Sequence, residues 1–116
     1  PACVFLAPEV GAVGLTEEEA LARGEEIVTA KAYFGANGMA LALGESDGFV
    51  KVVARASDKT LLGVHIMGPE ASSILGEATL AVAHKLTAVD VARAVHAHPT
   101  LCECFRDACS RLGAGA

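Results

Sequence analysis

Residues 48–69, GFVKVVARASDKTLLGVHIMGP, constrain the fold more than any other stretch. Two runs rich in β-branched and apolar residues flank SDKT, a polar turn. Successive side chains of a strand alternate faces, so Val50, Val52, Ala54 and Ala56 share one side while Lys51 and Arg55 take the other. In the second run Leu62, Val64 and Ile66 share a face. The opposite face carries Leu61, His65 and Met67, which are not simply solvating residues, and it is expected to meet something else. This hairpin commits the chain to an antiparallel sheet.

The other elements fall around it. CVFLAPEVGAVG reads as a strand broken near Pro8 and resumed at Val10–Val13. In LTEEEALARG, Thr16 followed by Glu19 makes a capping box, acids fill the first turn, and Gly24 stops the helix. EEIVTAKAYF, residues 25–34, has strand composition, and ANGMALALGE reads as either a short helical turn or an irregular strand. Pro69 opens a long helix in which Ile74, Leu75, Ala78, Ala81, Val82 and Leu86 follow helical spacing. Ala71, Ser72, Ser73, Gly76, Thr79 and Ala83 are small, so this helix is expected to be approached on two sides, the second by another subunit. Thr87 and Asp90 cap a short helix, and a last helix runs through LCECFRDACSRL to a GAGA tail. The expected fold is a single α+β domain over residues 1–116, a largely antiparallel sheet with helices packed on one side.

Composition narrows the class. An apolar fraction of 53% with 20% charged residues belongs to a globular chain. A net charge of −5 without a basic patch argues against nucleic acid or an anionic membrane as partner. No apolar run is long enough for a transmembrane helix, and PACVFLAPEV does not read as a signal peptide. The first residue is Pro1, which suggests a processed chain or a piece of something longer. Three of the four cysteines, Cys102, Cys104 and Cys109, crowd near the C-terminus, unlike a disulfide framework. Free thiols in a reducing compartment are expected.

HAHPTLCECF, residues 96–105, concentrates the reactive side chains. His-x-His and Cys-x-Cys supply four possible zinc ligands. However, Thr100 followed by Glu103 is a further capping box, so a helix should begin around Leu101 and send Cys102 and Cys104 about 200° apart. That divergence disfavours one metal shared by both, and a disulfide between them. Cys102, in a first helical turn, is either a reactive thiol or a small packed residue, and packing is the preferred reading. His98 and Glu103 can form the arrangement that orients a general base. Equally, Glu103 can merely cap and His98 merely pack, and on the residues alone that plainer reading is preferred. His96, His65 and His84 read as structural.

HAHPTLCECFRDA resembles the C-terminal signature of the dihydrolipoyl dehydrogenase family, His-x-His-Pro-Thr-Leu-Ser-Glu-Ala. PEVGAVGLTEEEA is similar to that family's opening strand–turn–helix, and GFVKVVARASDKTLLGVHIMGPEAS to its central hairpin and helix entry. The resemblance runs in order along nearly the whole chain and points to the interface, or dimerisation, domain of FAD-dependent pyridine nucleotide–disulfide oxidoreductases. It implies a homodimer of much longer chains whose FAD- and NAD-binding domains are not in this sequence, which has no GxGxxG. It also implies that His98 is the acid–base of the reaction, Glu103 its partner, and Pro99 a neighbour of the flavin. The intact enzyme would oxidise dihydrolipoyl groups with NAD, serving lipoyl domains of 2-oxoacid dehydrogenase or glycine cleavage complexes. It would work in the cytoplasm, or in the mitochondrial matrix of a eukaryote. The present chain by itself is expected to be inactive and to bind no cofactor or metal. Cys102 and Cys104 depart from the family pattern, which commonly has Ser and Ala there. Cys104 and Cys109 share the spacing of the family's redox-active pair but follow the histidine, so that spacing reads as coincidence. Two alternatives remain: a free-standing dimerisation module, and a small metal-binding domain using His96, His98 and the cysteines.

Overall fold

Strands β1 (Ala2–Val4), β2 (Glu9–Gly14), β3 (Ile27–Tyr33), β4 (Phe49–Arg55) and β5 (Leu61–Gly68) form one sheet in the computed structural model, which describes residues 1–113. Their spatial order is β1-β2-β5-β4-β3, and every pairing is antiparallel. The expected α+β class and antiparallel sheet are therefore observed. The GAGA tail lies, apart from Gly113, outside the described residues.

The helices start where side chains satisfy their free N–H groups. At α1 (Glu17–Ala22) the Thr16 hydroxyl accepts from the Glu19 N–H, and the Glu19 carboxylate accepts from the Thr16 N–H. The same reciprocal box, Thr87 with Asp90, opens α4 (Ala88–Arg93). The ambiguous ANGMALALGE is a helix, α2 (Gly38–Leu43), capped by Asn37 and ended by Gly44 in the left-handed region at φ 70°. Helix α3 (Ala71–Ala83) is shorter than its periodicity suggested. Lys85 turns left-handed beyond it, so Leu86 falls outside the helix and is partly exposed. The last helix, α5 (Glu103–Gly113), begins two residues later than expected.

One face of the sheet carries the core. Val13 stands opposite Val64, and Val50 opposite both Ile66 and Ala32, all of them buried. Helix α3 covers these residues with Ala71, Ile74, Leu75, Ala78 and Ala81, and α5 with Cys104, Phe105, Ala108 and Cys109. Phe34 and Phe105 are fully buried, each worth roughly 2–3 kcal/mol of transfer free energy. Of the small positions on α3, Ser73, Gly76 and Ala83 are exposed alongside Leu80, so within this chain the helix is buried on one side. The opposite sheet face meets the approach to α1: His65 Nε2 lies 2.9 Å from the Leu15 carbonyl oxygen, and Lys51 pairs with Glu17. Val4, Val10, Tyr33 and Met67 remain exposed along the rest of that face.

The hairpin differs from its sequence pattern at one point. A register shift after Val53 pairs Ala54 with Leu61 and Val53 with Gly63, leaving Leu62 as an extra residue. The bulge reverses the alternation beyond it, so Leu61, rather than Leu62, is buried. Gly63 sits beside this bulge, where a Cβ would collide with the Leu15 carbonyl. Both groups are backbone and neither can swing aside. Gly63→Ala should therefore destabilise the protein by about 3 kcal/mol, read as a lowered urea midpoint. A midpoint unchanged from the parent would mean that the Leu15 loop moves freely away.

All four cysteines are free. Cys104 donates to the Ala32 carbonyl, and burial pushes its thiol up to about 12. Burial also raises that of Cys109. Cys3 is exposed and Cys102 half-buried. In a native titration with an aromatic disulfide reagent near pH 8, Cys104 and Cys109 should stay silent and appear only after unfolding, since the thiolate is the reactive form. Their rapid reaction in the folded protein would contradict this core packing.

Candidate functional site

Between α4 and α5 the chain runs from Ala94 to Cys102 without helix or strand, and this strap carries His98. Its exit is set by α5. Phe105, Ala108 and Cys109 seat that helix against the sheet, which fixes Glu103 at its first turn. The Glu103 carboxylate accepts from the Thr100 N–H at 2.8 Å. This is half of the expected capping box. The other half is absent: the Thr100 hydroxyl is turned toward the Ala97 carbonyl, to which it donates at 2.7 Å. The Thr100 side chain thus closes the strap on itself, and α5 starts at Glu103 rather than at Leu101. The His98–Pro99 peptide is cis.

The structure brings His98 and Glu103 together. His98 Nδ1 lies 3.0 Å from Oε1 and 3.1 Å from Oε2 of Glu103. An ionised carboxylate only accepts, so Nδ1 carries a proton and donates; in a neutral ring that places the lone pair on Nε2. The Thr100 N–H, followed by the His98 ring and the Arg106 charge, holds the Glu103 carboxyl below its ordinary value, against the opposing effect of burial. Arg106 Nη2 stands 3.6 Å from Oε2. The two partners differ sharply in exposure: the His98 side chain is 78% exposed and that of Glu103 10%. A sheltered anion therefore orients an imidazole whose other nitrogen faces outward. Pro99, next in the chain, is also exposed.

Two residues that hold this strap, Asn37 and Glu77, were not singled out from the sequence. Asn37 is 4% exposed; its Oδ1 accepts from the Ala40 N–H to cap α2, while Nδ2 donates to the Thr100 carbonyl at 3.0 Å. An Asn before a helical run signals a cap, but the bond to Thr100 spans 63 positions and has no local signature. His96, read as structural, reaches Glu77 of α3, with Nε2 2.7 Å from Oε2. Glu77 is the only charged residue in that helix, which is the one hint the sequence offered.

The metal alternative loses its ligand set. His96 turns to Glu77, His98 to Glu103, and Cys104 and Cys109 into the core. Among the described residues no three His, Cys, Asp or Glu side chains gather as ligands.

Comparison with known proteins gives a consistent result. Residues 1–109 match the family model of the pyridine nucleotide-disulphide oxidoreductase dimerisation domain. A dihydrolipoyl dehydrogenase of Bacillus subtilis is 46% identical over 108 residues, which are 93% of this chain and 23% of that protein. One from Halobacterium salinarum is 48% identical over the same coverage. Among solved structures, LpdA from Mycobacterium tuberculosis superposes with a TM-score of 0.89 at 28% identity, over 96% of this chain and 24% of its own. The flavoprotein disulfide reductase RclA of Escherichia coli shares the fold, with a TM-score of 0.89 at 21% identity. The chain thus spans about a quarter of the length of the relatives it matches, and the matching region is the one that carries the sheet, both long helices and the His98 strap. This chain belongs to the dimerisation-domain family of the pyridine nucleotide-disulphide oxidoreductases.

Proposed function

We propose that this chain is the interface domain of a dihydrolipoyl dehydrogenase and supplies the acid–base pair His98–Glu103 to that enzyme's reaction. One observation carries the reading: a buried carboxylate holds the Nδ1 edge of an imidazole whose other edge is open to an incoming group. In water a dihydrolipoyl thiol is a poor nucleophile near neutral pH, because the thiolate is the attacking form. His98 Nε2 takes the thiol proton, and the thiolate attacks one sulfur of a disulfide held elsewhere in the enzyme. The Glu103 anion supports the imidazolium so formed and keeps the ring from rotating.

The cavity near Pro8 and Pro69 is lined by Glu9, Glu45, Asp47 and Glu70, and four carboxylates there repel a diphosphate. FAD, held by other domains of the enzyme, supplies the passage of electrons from the dithiol to NAD. Pro99 borders the place where the flavin approaches His98. The enzyme is a homodimer in which the strap of one subunit faces the redox centre of the other, and lipoyl domains bring the substrate. The negative net charge and lack of a basic patch suit neither nucleic acid nor membrane as a partner, and the site of action is the cytoplasm or, in a eukaryote, the mitochondrial matrix. Among the described residues no helix is long and apolar enough to cross a membrane.

In the intact enzyme, His98→Ala should lower turnover by about 10²–10⁴-fold in a steady-state assay with a dihydrolipoyl substrate, while flavin content is unchanged. Near-normal turnover would remove the acid–base role. The native species captured from its source should be about four times longer than this chain, in keeping with the 23% coverage of its relatives, and should absorb as a flavoprotein. A colourless species of this chain's size would instead indicate a free-standing module.

A further inference from the structure

Glu77 and His96 form a second histidine–carboxylate pair, which the reaction described above does not use. The two histidines stand two positions apart and are disposed in opposite ways: the His96 side chain is 7% exposed and that of His98 78%. One ring is packed inward and the other presented outward. His96 Nδ1 lies 2.9 Å from the Ala94 carbonyl oxygen, and Nε2 lies 2.7 Å from Glu77 Oε2. Both oxygens accept, so the ring meets both fully when each nitrogen carries a proton. Hydrogen bonds with an ionised partner are roughly twice as strong as neutral ones.

The mechanical setting gives this pair its meaning. Asn37 holds the Thr100 carbonyl and Glu103 the Thr100 N–H, so the far end of the strap is fixed to α2 and α5. Its near end leaves α4 after Arg93. Among the described residues, His96–Glu77 is the one side-chain hydrogen bond tying positions 94–97 to another element. That element is α3, which is seated on the sheet by Ile74, Leu75, Ala78 and Ala81. His98 lies between the two anchors.

We propose that Glu77 is a positioning residue for His98, acting through His96. It sets where the strap leaves α4, and hence where the His98 ring stands relative to the thiol it deprotonates. This rests on the acid–base reading of His98. A misplacement of about 1 Å can cost on the order of 10²-fold in rate, so a strap secured at one end works less well than one secured at both.

The test is a double-mutant cycle in the intact flavoenzyme. Glu77→Ala should lower kcat about 10-fold with the KM for the nicotinamide cofactor unchanged. Glu77→Gln, whose amide oxygen still accepts from Nε2, should recover most of that loss. In a His98→Gln background Glu77→Ala should add nothing, because no base is left to misplace. Independently of activity, hydrogen exchange followed by mass spectrometry should quicken at residues 94–101 in Glu77→Ala and stay unchanged across the sheet. A Glu77→Ala kcat within about twofold of the parent overturns the proposal. So does a loss that persists in the His98→Gln background, which marks general structural damage. If Glu77→Ala fails to fold, His96→Ala, which removes the same bond, carries the cycle. Normal turnover in His98→Gln would remove the acid–base reading itself, whereas unchanged exchange at 94–101 would remove the positioning role alone.

Discussion

The seating of α5 on the sheet is the constraint on which the site depends. Phe105, Ala108 and Cys109 are fully buried against β3 and β4, and that packing fixes the helix about its axis. Glu103 then has one place to be. From there its carboxylate reaches back to the Thr100 N–H and to His98 Nδ1, joining helix start, strap and imidazole through a single group. A rotation of α5 would break all of these at once. Small buried residues permit such a seating: Ala108, Cys104 and Cys109 let the helix lie close to strands that themselves carry Val and Ala.

His98 and Glu103 form a hydrogen-bonded pair at the surface of the chain. The His98 side chain is mostly in solvent, while the Glu103 carboxylate that holds it and the Asn37 that holds the strap are sheltered. That distribution suits a donor surface completed by something outside the chain, in keeping with a match to about a quarter of each relative's length. The exposed Leu80 of α3 and the exposed Val10 and Met67 on the other sheet face belong to the same picture. The chain builds one good core and leaves two further apolar surfaces uncovered.

The cysteines show how position governs chemistry. Three thiols lie within eight residues of sequence, yet they occupy different environments. Cys104 and Cys109 sit in the core, where burial disfavours the thiolate. Cys102 lies at the strap, with its sulfur 3.1 Å from the Thr100 hydroxyl. Cys104 and Cys109 lie five positions, and hence about 140°, apart around α5, yet both are buried, so the helix is covered across a wide arc. Both remain free, as packed apolar residues of the core.

Local chemistry was legible in the chain. Alternation in 48–68 marked two strands of the sheet, and Thr16–Glu19 and Thr87–Asp90 marked two helix starts, because each of these signals acts over three or four residues. The His98–Glu103 contact, five positions long, was one of two readings the residues allowed, and on them alone the plainer one of capping and packing was preferred. What the sequence left open needed distant groups. The bulge that turns Leu61 inward depends on pairing with β4, and the choice of helix for ANGMALALGE was settled together with Asn37's bond to Thr100, 63 positions away. At Thr100 the box is only half formed, its hydroxyl lying against the Ala97 carbonyl within the strap. Periodicity and capping thus determined most of the elements and put a carboxylate within reach of His98 in the chain. Only tertiary packing decided which of its nitrogens faces outward and what holds the strap, since those outcomes rest on hydrogen bonds whose partners no local pattern records.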